Sequence, residues 1–303
     1  MTKSKPKMRW LGSEPEIGDE QIAETIETEL LIAGGGSAGL VAAATAAELG
    51  VKVLLIEIKK TFTPIRKEIG AVGSRIQKAE GVEIDIQELV RQHVMYNAGY
   101  VDQKLPLIWA RESGEMIDWY EKLISARGAK LMLQGGYSME VKAGSYTKFP
   151  TGHSVMWPAN MTGVKVLTEY AAQHGAEFRL ETGLVKLIKE GKRVVGAIAK
   201  DIKTGKYLRI YASKGVMVAT GGYARNREML EALQPETVEL TAFTVSEGLT
   251  RGDGIKACLW AGAKMDDRHL SILFDRCAIM PDEPPETLSR PGHPTEIIGQ
   301  PFL

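Results

Sequence analysis

An α/β fold with a parallel central sheet is the prediction carried by this 303-residue sequence. Three observations make it. Residues 29–33 and 51–57 are short apolar runs, of the kind that parallel strands bury on both faces. The alanine-rich stretch 38–49 between them reads as a helix that stops at Gly50. The first junction, Gly34 to Gly39, reads GGGSAG and so fits G-x-G-x-x-G. Strand, glycine turn, helix and strand in this order form one Rossmann-like βαβ unit.

The remaining elements follow along the chain. Residues 1–28 are polar and acidic, with Pro6 and Pro15, and read as an extended arm. Residues 59–74 read as a loop. Asp85 is placed to cap a helix running to Tyr96, with Ile86, Leu89, Val90 and His93 on one face. Residues 105–124 form a second helical region whose core positions are Ile108, Met116, Ile117, Tyr120 and Ile124. Residues 135–158 are rich in Gly, Ser, Tyr and Pro and read as loop with a strand or two. A helix from Thr162 to His174 is stopped by Gly175. Residues 193–199 and 207–212 are strands joined by a hairpin turn at 203–206, a β-meander insertion. Residues 215–222 are a further buried strand running into glycines, and Asn226 to Leu233 is a short helix. From Asp267 the sequence turns irregular and proline-rich.

Bulk properties exclude several classes. Lys plus Arg and Asp plus Glu both number 38, so no net charge draws the chain to nucleic acid or an anionic membrane. The longest apolar run, residues 40–47, is too short to span a bilayer. The basic start lacks a signal peptide's apolar core. Cys258 and Cys277 fit no metal motif and make no disulfide framework, so they read as reduced thiols of a cytoplasmic protein without a metal site. His93 and His174 fall in helices, in satisfied or solvent-facing positions.

The glycine turn carries the chemistry. Gly34 permits the tight turn, Gly36 lets a diphosphate approach the backbone, and Gly39 lets the helix pack closely on its strands. The amides at the helix start, from Ser37 and Ala38 onward, point at the diphosphate, and the helix dipole favours its charge. Glu57, ending the second strand, can accept from both ribose hydroxyls of an adenosine and repels a 2′-phosphate.

In motif order the sequence resembles the flavoprotein subunits of the fumarate reductase and succinate dehydrogenase group, which also includes urocanate reductase and ketosteroid dehydrogenases. The resemblance runs from Glu29 to Asp266 and rests on four pieces: the βαβ unit, Gly70 to Ser74, Ala219 to Asn226, and Gly252 to Gly254 followed by Ala261 to Ala263. It implies an FAD-binding domain over 29–266 and the start of a capping domain over 267–303. It implies that FAD is held by Gly34, Gly36, Ser37, Ala38, Gly39, Glu57, Gly73, Ser74, Ala219, Thr220, Gly221 and Asp253. Gly73 and Ser74 belong to the segment that passes the isoalloxazine. Taken alone, Asp253 reads equally well as a helix N-cap. His153 has a polar setting beside Gly152 and is a further candidate for that pocket.

The implied activity is transfer of a hydride between flavin N5 and an activated C=C or CH–CH small-molecule substrate. Three departures qualify it. Residues 63–69 replace a Gly-Gly-Asn/Ser segment and contain no His, which argues against a covalent His–flavin link. Leu273, Phe274 and Asp275 stand where fumarate-type members carry His-Pro-Thr, and the His-Pro-Thr at 293–295 falls too late. A fumarate-like dicarboxylate and another activated alkene, such as an enone or ring compound, therefore stand side by side. The family's catalytic arginine lies beyond Leu303, and neither Arg276 nor Arg290 sits in its motif. The catalytic residue is thus unassigned, and the chain reads as truncated, with a second polypeptide as a partner that supplies the rest. No iron–sulfur or haem motif identifies the electron donor. An NAD-dependent short-chain-type dehydrogenase is the competing reading, resting on Tyr100 and Lys104 as a Tyr-x-x-x-Lys pair.

Overall fold

A computed structural model describes residues 8–65, 67–134, 149–240, 250–266 and 269. Two compact units divide them. One gathers the described residues up to Ala46, Val51–Phe62 and those from Ala176 onward; the other gathers Ala47–Gly50 and Thr63–Gly175.

In the first unit the chain forms strand β1 (Ile22–Ala33), helix α1 (Ser37–Glu48, its last two residues in the other unit) and strand β2 (Val53–Ile56). It returns through β6 (Glu177–Arg179), β7 (Thr182–Glu190), β8 (Arg193–Asp201) and β9 (Tyr207–Val218). These strands make one six-stranded sheet in the order β6-β2-β1-β9-β8-β7. The strands β6, β2, β1 and β9 run parallel, and β7, β8 and β9 form an antiparallel meander. The predicted class is therefore the observed one, a mostly parallel sheet with a meander at its edge.

Period-two residues build the core. Leu31, Ala33, Leu54, Ile56, Ala197, Ala199, Leu208 and Ile210 lie in one cluster. Ala257, from helix α8 (Asp253–Trp260), joins the same cluster. Helix α1 buries Leu40, Ala43, Ala44 and Ala47, the i, i+3, i+4, i+7 stripe expected of a packed helix. Between β9 and α8 lie helices α6 (Arg227–Leu233) and α7 (Pro235–Leu240).

The structure corrects several element readings. The strand beginning at Glu29 starts seven residues earlier, because β9 offers β1 a partner as far back as Ile22↔Tyr207. The two predicted strands at 207–212 and 215–222 are one, β9, which bends through a register shift opposite Thr28/Leu30. Its last residues, Gly215–Val218, are half-buried rather than buried. Strands β6 and β7 were not foreseen. The acidic arm is tied down: Trp10 is buried, the Trp260 indole N–H donates to Gly12 O at 3.3 Å, and Lys186 pairs with Glu14 at 3.0 Å.

The second unit holds β3 (Glu68–Gly70), α2 (Arg75–Ala79), α3 (Ile86–Tyr96), α4 (Lys104–Ser125), β4 (Lys130–Leu133), β5 (Gly152–Met156) and α5 (Gly163–Gln173). The strands form an antiparallel sheet in the order β3-β5-β4, so the predicted loop 59–74 contains a strand. Asp85 caps α3 as expected, accepting from the Gln87 and Glu88 amides. His93 and Ile108 are exposed, while Gln92 and Ala110 are buried in their helices. No helix among the described residues is long and apolar enough to cross a membrane.

Among the described residues the Tyr120 hydroxyl of α4 is buried without a hydrogen-bond partner, and burial pushes the phenol up to about 12. A Cβ on Gly163 would lie 2.6 Å from that oxygen, so the N-terminus of α5 closes over it. An unsatisfied buried hydroxyl costs roughly 1–3 kcal/mol. Tyr120→Phe is therefore expected to stabilise the protein by about 1 kcal/mol; urea unfolding that shows a loss of stability contradicts this.

Candidate functional site

The carboxyl ends of β1 and β9 lie side by side, with Ala33 opposite Val218. From β1 the chain turns through glycines into α1 and on to β2, which lies on β1's other flank. In open α/β sheets a crevice where neighbouring strands connect in opposite directions is where ligands bind.

Each glycine of the turn does a different job. Gly34 has φ +112°, its N–H donates to Ile56 O at 2.9 Å, and a Cβ there would collide with the Ala219 carbonyl. Gly39, inside α1, lies against Gly34 O, with a Cβ placed 3.4 Å from Ile32 Cγ2. At Gly36 a Cβ meets nothing within 4 Å among the described residues. The first two are demanded by the protein's own packing. Gly36 is not, and it stands immediately before the first residue of α1, where Ser37 and Ala38 are exposed.

Glu57 follows β2 and is buried. Its Oε2 accepts the Gly35 N–H at 2.6 Å and its Oε1 accepts the Lys59 N–H at 2.9 Å. An ionised carboxylate has about four acceptor positions, so these bonds orient it over the turn and leave two for a vicinal diol. Gly35 and Phe62 escaped the sequence reading. A Cβ on Gly35 would collide with Phe62 Cδ1 and would lie 3.2 Å from Glu57 Oε2. The nearest contact is the Phe62 ring, which sits edge-on to Phe178 with centroids 5.5 Å apart. No motif marks Phe62; only closure of the loop after β2 brings it to the turn.

Residues after β9 complete this end of the sheet. The Ala219 N–H donates to Ala33 O at 2.7 Å, and Gly221 has φ +75°. Gly252 N–H donates to Gly222 O at 3.1 Å. Gly254, in the first turn of α8, leaves no room for a Cβ against the Thr220 and Val218 side chains. The structure thus brings Gly34, Gly36, Gly39, Glu57, Ala219, Thr220 and the start of α8 to one end of one sheet. The N-cap reading of Asp253 is corrected. Gly252, at φ +80°, is the cap, and Asp253 is the first helical residue, paired with Arg251 at 3.1 Å. The positive φ turns the chain into the helix one residue before the aspartate.

Gly73 and Ser74 lie in the second unit. Gly73 is exposed with φ +75°. Ser74 is fully buried, caps α2 by accepting the Gln77 N–H, and lies 2.8 Å from His153 Nε2. His153 is equally buried, so its part is inside the unit's packing. Tyr100 precedes α4 while Lys104 opens it, so the pair does not share a helical face. Leu273 to Asp275, Arg276, Cys277, Arg290 and residues 293–295 lie outside the described residues.

Comparison with known proteins agrees with this geometry. The family model described as "FAD binding domain" matches residues 29–288. A probable fumarate reductase of Shewanella frigidimarina is 31% identical over 247 residues, covering 79% of this chain and 40% of that protein. A vinyl phenol reductase of Lactiplantibacillus plantarum is 24% identical over 261 residues, covering 84% of this chain and 50% of that protein. The chain therefore spans half or less of the length of these relatives. Among solved structures, the open conformation of a flavocytochrome c3 fumarate reductase superposes with a TM-score of 0.62 at 27% identity, covering 80% of this chain and 41% of that one. On this evidence the chain belongs to the FAD binding domain family, and FAD is its cofactor.

Proposed function

We propose that this chain holds FAD for an oxidoreductase of the fumarate reductase-like type, acting on an activated C=C or CH–CH small-molecule substrate. The observation that carries the reading is Gly36, an open position at the start of α1 that the protein's own packing does not require to be glycine. The names of the relatives, which include fumarate, vinyl phenol and acrylate reductases, support the reaction class. Bound FAD supplies the hydride-accepting and hydride-donating chemistry.

In this reading Gly34, Gly36, Ser37, Ala38 and Gly39 receive the diphosphate, through backbone amides and the positive end of α1. Glu57, already oriented by two amides, takes the ribose hydroxyls. Ala219, Thr220, Gly221 and Asp253 line the cofactor's course past the end of β9. Gly73 contributes its backbone, and Ser74 anchors that segment. Residues 29–266 form the FAD-binding domain, and 267–303 begin a capping domain. A second reading is supported by the name of one relative, an acrylate reductase flavoprotein subunit: an FAD-holding chain that works with a partner polypeptide.

Three outcomes test these readings. Gly36→Val should leave stability within about 1 kcal/mol and weaken FAD binding roughly 100-fold, about 2.7 kcal/mol. Retained affinity in a folded variant removes the turn from the cofactor site. Glu57→Gln should weaken FAD by about tenfold, since it exchanges a charged acceptor for a neutral amide; isothermal titration measures it, and an unchanged affinity counts against the ribose role. Finally, the FAD-loaded chain is supplied with reduced dye and a panel of alkenes. Turnover by the chain alone supports the first reading and removes the second; turnover only after a partner polypeptide is added does the reverse.

A further inference from the structure

The segment Ala71–Ser74 of the second unit is held by a closed set of buried hydrogen bonds. The Ala71 N–H donates to Thr151 O at 2.9 Å. The Val72 N–H donates to Ser113 Oγ at 3.0 Å. The Ser74 N–H donates to Gln77 Oε1 at 3.0 Å, and both amide hydrogens of Gln77 are used, on Ala71 O at 3.1 Å and Pro150 O at 2.8 Å. Ser74, Gln77 and His153 are all fully buried.

Directions within the set follow from chemistry. A carbonyl only accepts, so His153 Nδ1, 2.9 Å from Thr151 O, carries the ring proton. In the neutral imidazole His153 Nε2 is then an acceptor, and the Ser74 hydroxyl, 2.8 Å away, donates to it. The Ser74 oxygen keeps a lone pair for the Gln77 N–H at 3.1 Å. The Ser74 hydroxyl is therefore committed and offers no donor to a ligand.

One donor of the segment is left. Gly73 N–H has no partner among the described residues, Gly73 is exposed, and a Cβ on it meets nothing within 4 Å. The contrast is the argument: every other donor from Ala71 to Ser74 is tied, and the open one lies between two of them. Satisfied buried networks of this kind hold geometry rigidly.

We infer that His153 and Gln77 are positioning residues, which act through Ser74 and Ala71 to present the Gly73 amide to the flavin ring. The inference rests on the FAD reading above. Neither side chain reaches solvent, so neither touches the cofactor itself; each sets where one backbone donor stands. A donor fixed at a flavin edge stabilises negative charge developing there on reduction, so its position changes the ring's potential as well as its affinity.

The test is FAD titration of the whole purified chain, followed by the midpoint potential of the bound flavin from dye-equilibrated reduction. His153→Leu and Gln77→Leu should each bind FAD about tenfold more weakly, with a shifted potential. His153→Gln, which returns an acceptor to Ser74, should recover most of both effects. Circular dichroism checks that each variant is folded at the assay temperature. Wild-type affinity and potential in folded His153→Leu and Gln77→Leu overturn the inference. If those variants do not fold, Ser113→Ala carries the test: it removes the bond that holds the Val72 N–H next to Gly73, so it loosens the same segment and should shift the potential, and an unshifted potential overturns the inference. A wild-type chain that takes up no FAD overturns the cofactor reading beneath it, which distinguishes the two failures.

Discussion

Where β1 ends, the backbone at Gly34 passes so close to the Ala219 carbonyl that no side chain fits between them. The same residue donates its N–H to Ile56 O on the opposite flank, at 2.9 Å. Gly34 is thereby fastened to the strands on either side of β1. Only a residue without a Cβ, at φ +112°, can hold both contacts. This close approach sets the start of α1 at the carboxyl end of the sheet, and so decides where its first amides point.

Other features of that end follow from the same closeness. Gly39 must lie against Gly34 O, and Gly254 against Thr220. Glu57 is held by the Gly35 and Lys59 amides. These contacts preorganise the turn before any ligand arrives, so binding need not order it, a saving in conformational entropy. Within the second unit the solution is different. There Gly114 lets α4 lie against the Val72 and Gly73 backbone, and buried side chains rather than neighbouring strands hold the segment.

Much of the fold was legible because its signals are local. The apolar runs of β1 and β2, the alanine stripe of α1 and the Asp85 cap each act within a few residues. The glycine turn was legible as a pattern, and its context, strand before and helix after, gave it meaning. The illegible parts depend on distant partners. The early start of β1 needs β9, nearly two hundred residues on, and the single long β9 needs β1 in return. Phe62 at the turn and Gln77 beneath Ala71 belong to no motif, because folding alone brings them there.

The residue sequence by itself determined the βαβ unit, a glycine-patterned turn at its first junction, and an acid at the end of the second strand. Those depend on steric and hydrogen-bonding properties that each residue carries with it. Tertiary structure decided which of the glycines serve packing and which leaves room. Gly34 and Gly39 are filled against by the protein's own backbone, and Gly36 is not. It likewise decided that the Ser74 hydroxyl turns inward to His153 while the Gly73 amide stays open. The physical reason is the same in both cases: a side chain's or an amide's role depends on which atoms stand within bonding distance, and long-range packing alone sets that.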